Sequence, residues 1–271
     1  RDFCLSRGLG DVYKRQERRI CLKWQALKRM SNFQEVFKRI EKKYILDEGK
    51  YDLLMQRLRE YAVPDQYGKS TVCSIYFDTP DRRLIRRSLE KPVYKEKIRL
   101  RSYGTPELNS TVFLELKKKY KGIVYKRRTD MLLSCAKGFI RSNGEAGRGN
   151  QIENELKWTF SYYPDLAPAM YLSYDRIALY ARNDPGLRIT FDSDILYREE
   201  ALELEKGIWG TKLLKTGERI MEIKIPEAMP IWLSEILDEL EIYPCSCSKY
   251  GTAYLKTLKQ KSEKGKVNYC A

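Results

Sequence analysis

The chain contains no histidine among its 271 residues. This absence excludes Ser-His-Asp triads, Cys-His pairs and His-ligated metals. The seven cysteines are scattered and include no C-x-x-C pair, so a structural zinc site is not expected either. An enzyme of this composition must work with carboxylates and cationic side chains, and any metal that it uses would be a hard ion.

Long hydrophobic runs are also missing from the sequence. No apolar segment approaches the ~20 residues that a membrane span needs, and no apolar region typical of a signal peptide follows the basic start. An odd number of scattered cysteines is typical of a reduced protein. We therefore expect a cytoplasmic protein, with no membrane span in this chain.

The sequence has an excess of positive charge. Lys and Arg number 52 against 37 Asp and Glu, which gives a formal net charge of +15. Such a balance suggests a polyanionic partner, either nucleic acid, phosphates or an acidic membrane surface. No aromatic-rich RNA-binding signature or basic recognition helix is evident, so nucleic acid is not the expected partner.

The first 29 residues differ in origin from the rest, in our interpretation. DVYKRQ at 11–16 resembles the translation of an adaptor used in transposon-based sequencing libraries. We interpret residues 1–29 as a non-native or disordered N-terminal segment, with Met30 as the natural start; a genuine basic arm is the alternative. Without this segment the net charge is still +9. We assign residues 30–261 to one domain and residues 262–271 to a polar tail.

Charged residues recur on one face of the predicted strands. In YKEKIRLRSYG (94–104), Ile98 and Leu100 alternate with Lys97, Arg99 and Arg101. Alternation with period two indicates a strand with one apolar and one charged face. The same pattern recurs in FLELK (113–117), YKRR (125–128), LRITFD (187–192) and MEIKI (221–225).

The predicted fold class is α+β: an antiparallel β tunnel barrel of about eight strands with a charged lumen, covered outside by amphipathic helices. Tight turns between successive strands favour the antiparallel pairing. A lumen with so many cations needs anions, and arginine pairs bidentately with phosphate oxygens. The alternative is an ordinary sheet whose charged side faces water. The strand candidates are Val36–Leu46, Lys69–Asp78, Val93–Tyr103, Thr111–Tyr120, Ile123–Asp130, Met170–Ala181, Leu187–Asp192 and Arg219–Ile225.

Nine motifs, in order along residues 36–260, carry a resemblance to a known family. The chain resembles the VTC domain (vacuolar transporter chaperone catalytic domain), a polyphosphate polymerase of the triphosphate tunnel metalloenzyme superfamily. The motifs are RIEKKY (39–44), SIYFDT (74–79), KIRLRSYG (97–104), FLELK (113–117), YKRR (125–128), YDR (174–176), LRITFD (187–192), MEIK (221–224) and SKY (248–250).

The resemblance also implies the roles of individual residues. It implies a divalent metal, Mn²⁺ or Mg²⁺, held mainly by Glu222 with Glu115 and Glu41; salt bridges to nearby lysines are the alternative role of these glutamates. The expected catalytic residues are Arg99, Arg101, Lys117 and Glu222. The expected phosphate ligands are Lys43, Lys97, Arg99, Arg101, Lys117, Lys126, Arg128, Arg176, Arg188, Lys224 and Lys249. In one place the sequence departs from some family members, since CSC (245–247) stands where they carry a further lysine.

The expected reaction is transfer of the γ-phosphoryl group of ATP to a growing inorganic polyphosphate chain, with release of ADP. This makes ATP and polyphosphate the expected partners. Phosphoryl transfer needs alignment and charge neutralisation more than covalent chemistry, so cations can serve it without histidine. Two alternatives remain. One is a tunnel hydrolase that cleaves tripolyphosphate or a nucleoside triphosphate, and the other is a non-catalytic polyphosphate-binding module.

Overall fold

The computed structural model describes residues 36–37, 40–121, 123–184, 186–226 and 228–267. The predicted N-terminal segment 1–29 lies outside the described residues. None of the helices in the described part of the chain is long and apolar enough to cross a membrane.

The strands are β1 (Val36–Phe37), β2 (Ile40–Leu46), β3 (Ala62–Pro64), β4 (Ser70–Asp78), β5 (Tyr94–Tyr103), β6 (Thr111–Tyr120), β7 (Ile123–Leu132), β8 (Ala167–Ala181), β9 (Arg188–Arg198), β10 (Thr211–Lys212) and β11 (Arg219–Ile225). The helices are α1 (Glu48–Leu58), α2 (Arg83–Leu89), α3 (Leu133–Arg141), α4 (Gln151–Tyr162), α5 (Ile231–Glu239) and α6 (Lys249–Val267).

All strands belong to one antiparallel sheet, in the order β1-β7-β6-β5-β4-β8-β9-β11-β2, with β3 paired to β8 and β10 paired to β9. The two strands that end this path, β1 and β2, are consecutive in the chain and are separated only by residues 38 and 39. Three Cα–Cα steps span at most about 11 Å. The two edges of the sheet therefore come close together here, and Lys117 of β6 also reaches Glu41 of β2 at 3.3 Å.

The predicted antiparallel tunnel fold is confirmed, and the structure refines its strand count. The predicted strand Val36–Leu46 is divided into β1 and β2, which pair with β7 and β11. Two short strands, β3 and β10, add to the sheet. Runs of two or three residues carry too little alternation to be detected from sequence.

The apolar faces of β5 and β6 point outward beneath helices. Ile98 and Leu114 are fully buried and pack in one cluster with Phe139 of α3 and Phe160 of α4. A second cluster packs Ile223 of β11 under α1 and α5. Because neighbouring side chains on a strand point to opposite faces, the charged residues between these positions point inward.

Helix α6 departs from the prediction that the helices cover the barrel from outside. The ring of Tyr250 in α6 stacks on Tyr76 of β4, with ring centroids 4.8 Å apart, and packs in the same cluster as Tyr174 of β8. The hydroxyls of Tyr76 and Tyr174 accept hydrogen bonds from Arg99 and Arg101, at 3.1 and 3.4 Å. Since these arginines belong to the charged face, α6 lies on the inner side of the sheet and fills part of the lumen.

Asp78, at the end of β4, fixes two helices at one end of the barrel. Its Oδ1 accepts from the backbone N–H of Leu84 at 2.8 Å, and its Oδ2 accepts from that of Ile85 at 3.0 Å. The hydroxyl of Tyr250 donates to the same Oδ2 at 2.9 Å. A carboxylate at the start of a helix satisfies N–H groups that have no partner within the helix. Asp78 therefore ties α2 and α6 to the barrel.

Candidate functional site

The register of the sheet brings the predicted ligands onto one face. Residues directly opposite each other in an antiparallel pair point to the same side. On β5, β6 and β7 the first row is Lys97, Lys117 and Lys126, and the second is Arg99, Glu115 and Arg128. On β2, β11 and β9 the first row is Lys43, Glu222 and Thr190, and the second is Glu41, Lys224 and Arg188.

Glu115 lies at the centre of the first group of strands and is enclosed by cations. Its side chain is 2% exposed, and its carboxylate lies 2.6 Å from Arg99 Nε and 3.0 Å from Lys126 Nζ. The Nε atoms of Arg128 and Arg101 lie at 3.6 and 3.9 Å. Burial alone would raise the pKa of Glu115, but these four cations hold it well below its usual range. Glu115 therefore stays ionised and balances part of the arginine charge.

Glu222 lies between two lysines on the other side of the lumen. Its Oε1 is 3.2 Å from Lys224 Nζ and its Oε2 is 3.6 Å from Lys43 Nζ. Burial opposes ionisation, but these two cations lower the pKa of Glu222 below its usual value. Glu41 stands two residues before Lys43 and points to the same face, where it meets Lys117. Glu41 and Glu222 are therefore diagonal neighbours on adjacent strands.

These two carboxylates fit a hard divalent ion, provided that phosphate completes its coordination. Among the described residues, no three His, Cys, Asp or Glu side chains converge on one point. Mg²⁺ is commonly held by one or two carboxylates together with substrate phosphates and water. Glu222 with Glu41 matches that donor set. The metal role of Glu115 stays a prediction, and its four cationic neighbours favour the alternative role in salt bridges.

Asp192 is a buried carboxylate to which the sequence analysis gave no role. Arg176 Nε donates to its Oδ1 at 2.6 Å and Arg176 Nη2 donates to its Oδ2 at 2.7 Å. Lys249, the first residue of α6, pairs with the same Oδ2. Burial raises the pKa of Asp192, but Lys249 and Arg176 outweigh it and lower the pKa. Two predicted phosphate ligands thus share one internal carboxylate, which balances one of their two charges. The only sequence signal was one acidic residue on a strand face shared with Arg188.

The segment between α5 and α6 lies next to two predicted ligands. Lys43 Nζ donates to the carbonyl oxygen of Cys247 at 3.2 Å. Lys97 Nζ donates to the hydroxyl of Ser248 at 2.9 Å. Within CSC, Cys247 therefore lies beside Lys43 and offers it a backbone carbonyl, whereas the hydroxyl partner of Lys97 comes from Ser248 of the SKY motif.

Positive charge outweighs negative charge in the lumen, and burial together with this charge shifts the pKa of several groups. Burial and neighbouring cations lower the pKa of Lys97 to about 8. The same causes lower the pKa of Lys126 to about 8. Burial acts to raise the pKa of Tyr76, but Arg99 and Lys97 lower it to about 8. A lumen in which ammonium groups lose protons readily and a phenol ionises readily favours the binding of an anion.

The predicted ligands differ in how completely the folded chain already neutralises them. Arg99 and Arg176 have carboxylate partners at 2.6 Å. Arg188 lies 3.4 Å from Asp65 and over the ring of Tyr180. Among the described residues, Lys97 Nζ forms a hydrogen bond only with the Ser248 hydroxyl. The lumen is thus a mixture of fixed ion pairs and cations that remain available to a ligand.

Comparison with known proteins identifies one family. The model of the VTC domain matches residues 38–258. No curated protein matches the chain at a significant level.

Solved structures resemble the chain in fold. A candidate adenylate cyclase from Bacillus halodurans is 14% identical, with a TM-score of 0.51, and the match covers 79% of this chain and 96% of that protein. A candidate adenylate cyclase from Vibrio parahaemolyticus is 12% identical, with a TM-score of 0.47, covering 82% and 99%. A candidate adenylyl cyclase from Hippeastrum, described as having a dominant triphosphatase activity, is 14% identical, with a TM-score of 0.48, covering 80% and 93%.

Proposed function

The chain belongs to the VTC domain family, and on that premise we propose that it is a polyphosphate polymerase that uses ATP. The observation that carries the proposal is the shared face of the predicted ligands. Eleven cations from seven strands and α6 surround one lumen, and the carboxylates there are too few to balance them. A chain of phosphates supplies charge along the whole of such a lumen.

The proposed reaction needs no histidine base. A terminal oxygen of the polyphosphate chain, already ionised, attacks the γ-phosphorus of ATP and forms the new P–O bond. The bond from the γ-phosphorus to the β,γ-bridging oxygen breaks, and its electron pair leaves with ADP. Arg99, Arg101 and Lys117 would align the phosphates and neutralise the charge on the transferring group. Glu115 would keep the two guanidinium groups in place.

A divalent ion, Mn²⁺ or Mg²⁺, would be held by Glu222 with Glu41 beside it, and would neutralise charge on the phosphate oxygens. The chain itself prepares this site. Lys43 and Lys224 keep Glu222 ionised, because both ammonium groups lie within 4 Å of its carboxylate. The same two lysines face the lumen and would also contact phosphate.

Tyr76 favours a tunnel hydrolase as the second candidate function. Its hydroxyl lies 3.1 Å from Arg99 Nη1, and its pKa is lowered to about 8. A phenol that ionises near neutral pH can accept a proton from an attacking water molecule. Water would then replace the polyphosphate chain as the nucleophile, and the product would be free phosphate.

The test is incubation with ATP and Mn²⁺, with separate assays for long-chain polyphosphate and free phosphate. We expect polyphosphate to form and Glu222→Gln to abolish most of its formation, because a metal that bridges phosphates stabilises the transition state more than the ground state. Tripolyphosphate affinity without metal should hold in this variant. In contrast, Arg99→Ala should weaken that affinity directly, by about tenfold or more.

Lys118→Gln is the matched control, since Lys118 lies on the outward face of β6 near Trp158 and should behave like the wild type. Release of free phosphate without polyphosphate would favour the hydrolase. ATP left intact with every divalent metal would leave the non-catalytic binding module.

A further inference from the structure

The charged face of β5 and β6 continues beyond the predicted phosphate ligands. Lys95 precedes Lys97 by two residues and lies directly opposite Lys119, which follows Lys117 by two residues. Because side chains alternate along a strand, all four lysines point to the same side. They form two adjacent facing pairs at the end of the tunnel where β6 ends, at Tyr120.

Carboxylates do not balance this lysine group. Lys117 pairs with Glu41, but within the described part of the chain Lys95, Lys97 and Lys119 form no ion pair. Lys95 Nζ donates to the carbonyl oxygen of Ser88 at 3.4 Å, which is a neutral partner. Deeper in the tunnel, by contrast, Glu115 and Asp192 each pair with several cations.

This arrangement is unfavourable in the absence of an anion. Like charges directly opposite each other on neighbouring strands destabilise a sheet. Burial lowers the pKa of Lys95, and the nearby Lys119 and Lys117 lower it further. Lys119 is exposed, so its charge is open to a ligand that arrives from solvent. A second anion-binding region outside the triphosphate lining would explain why the charge is there.

The opposite end of the same strands has a different chemistry. At the end of the tunnel where β5 ends, Tyr103 and Phe113 meet edge to face with ring centroids 5.8 Å apart. The ring of Tyr103 is more than half exposed, and Arg128 lies over Phe113 at 3.6 Å. Aromatic faces suit a nucleoside base better than a chain of phosphates. The tunnel therefore has an aromatic end and a lysine end.

From this polarity we propose that Lys95 and Lys119, continuing from Lys97 and Lys117, form a subsite for inorganic polyphosphate beyond the triphosphate lining. The inference rests on the proposed function for the identity of its ligand. The chain of phosphates leaves the catalytic lining at the lysine end, and each ammonium group neutralises phosphate charge as a point cation. Lys95 and Arg101 are six residues apart on β5, about 20 Å at the usual rise of a strand, and a triphosphate does not span that distance.

The test compares two ligands, tripolyphosphate and long-chain polyphosphate, by calorimetry without metal. The double variant Lys95→Gln with Lys119→Gln should bind tripolyphosphate within about twofold of the wild type, which also shows that it folds. Its affinity for long-chain polyphosphate should fall by about tenfold. The slope of the logarithm of this affinity against the logarithm of salt concentration should become shallower by about one to two, since two cations have been lost.

The matched control is Lys42→Gln with Lys118→Gln, which removes the same charge from outward faces of β2 and β6. This control should keep the wild-type preference for the long chain. Two results would overturn the inference: long-chain affinity retained in the Lys95 and Lys119 variant, or an equal loss in the control. A wild type without any preference for the longer ligand would also overturn it.

The same measurements keep the two proposals separate. If the wild type binds long chains through Lys95 and Lys119 but makes no polyphosphate from ATP, the subsite stands and the polymerase fails. If polyphosphate forms while the double variant binds long chains normally, the polymerase stands and the subsite fails.

Discussion

Arg176 and Asp192 are joined by two parallel hydrogen bonds, from Nε to Oδ1 at 2.6 Å and from Nη2 to Oδ2 at 2.7 Å. The Asp192 side chain has no exposed surface, and Lys249 pairs with the same carboxylate. This relationship links β8, β9 and the start of α6 inside the tunnel. It also means that two predicted phosphate ligands are held by an internal anion before any ligand binds.

Asp192→Asn should lower stability and make it depend more strongly on phosphate. Breaking a buried ion pair from one side costs about 3–5 kcal/mol, because the remaining charge is left without a partner. Tripolyphosphate should raise the unfolding temperature of the variant more than it raises that of the wild type, since phosphate can replace the carboxylate. Thermal unfolding with and without tripolyphosphate measures both effects.

The control for this variant is Glu239→Gln, whose carboxylate pairs with Arg57 while both side chains are more than half exposed. It should change the unfolding temperature little, because exposed pairs contribute about 0–1 kcal/mol. An unchanged unfolding temperature in Asp192→Asn would contradict the structural role of this carboxylate.

Glu115→Gln should show whether Glu115 balances the charge of its cationic neighbours or binds the metal. Four cations surround Glu115, so loss of its charge should destabilise the ligand-free protein by about 3–5 kcal/mol. The Mn²⁺ concentration that gives half-maximal polyphosphate formation should remain near the wild-type value. For Glu222→Gln that concentration should rise strongly. If Glu115→Gln shifts the metal requirement as much as Glu222→Gln, the predicted metal role of Glu115 is correct.

Lys97 should couple phosphate binding to proton uptake. Its pKa falls from the ordinary value of 10.5 to about 8, mainly through burial. Between these values the unfolded chain binds more protons than the folded one, so this group makes stability rise with pH. Bound phosphate favours the ammonium form and reverses the shift, and tripolyphosphate affinity should therefore decline as pH rises above about 8.

Calorimetry near pH 9, in two buffers with different ionisation enthalpies, measures the protons taken up on binding. The wild type should take up more protons than Lys97→Gln, which cannot titrate at this position. Equal uptake by the two proteins would remove Lys97 from the coupling.

Asp78→Ala should loosen the attachment of α2 and α6 to the barrel. The variant loses acceptors for the N–H groups of Leu84 and Ile85 and for the Tyr250 hydroxyl. Loss of a helix cap and of a buried acceptor costs about 1–3 kcal/mol in the free energy of unfolding. Urea unfolding measures the loss. Asp81→Ala, which removes the exposed partner of Arg86, should have little effect; an equal loss in both variants would argue against the anchoring role.

The sequence by itself determined which residues share a face. Alternation in KIRLR separates Ile98 and Leu100 from the cations between them, and the structure has the same separation. Side-chain alternation follows from the local backbone geometry of a strand, so a single segment is enough to reveal it. Local signals also predicted the bounds of β6 and β11 correctly.

Only the tertiary structure decided how these faces combine. The position of α6 on the inner side of the sheet depends on the contact between Tyr76 and Tyr250, which are far apart in the chain. An amphipathic pattern alone does not say which surface a helix covers. The pairing of Asp192 with Arg176 depends on the register between β8 and β9. Because register and helix position arise from contacts between distant segments, a single strand could predict a charged face but not the partner of each charge.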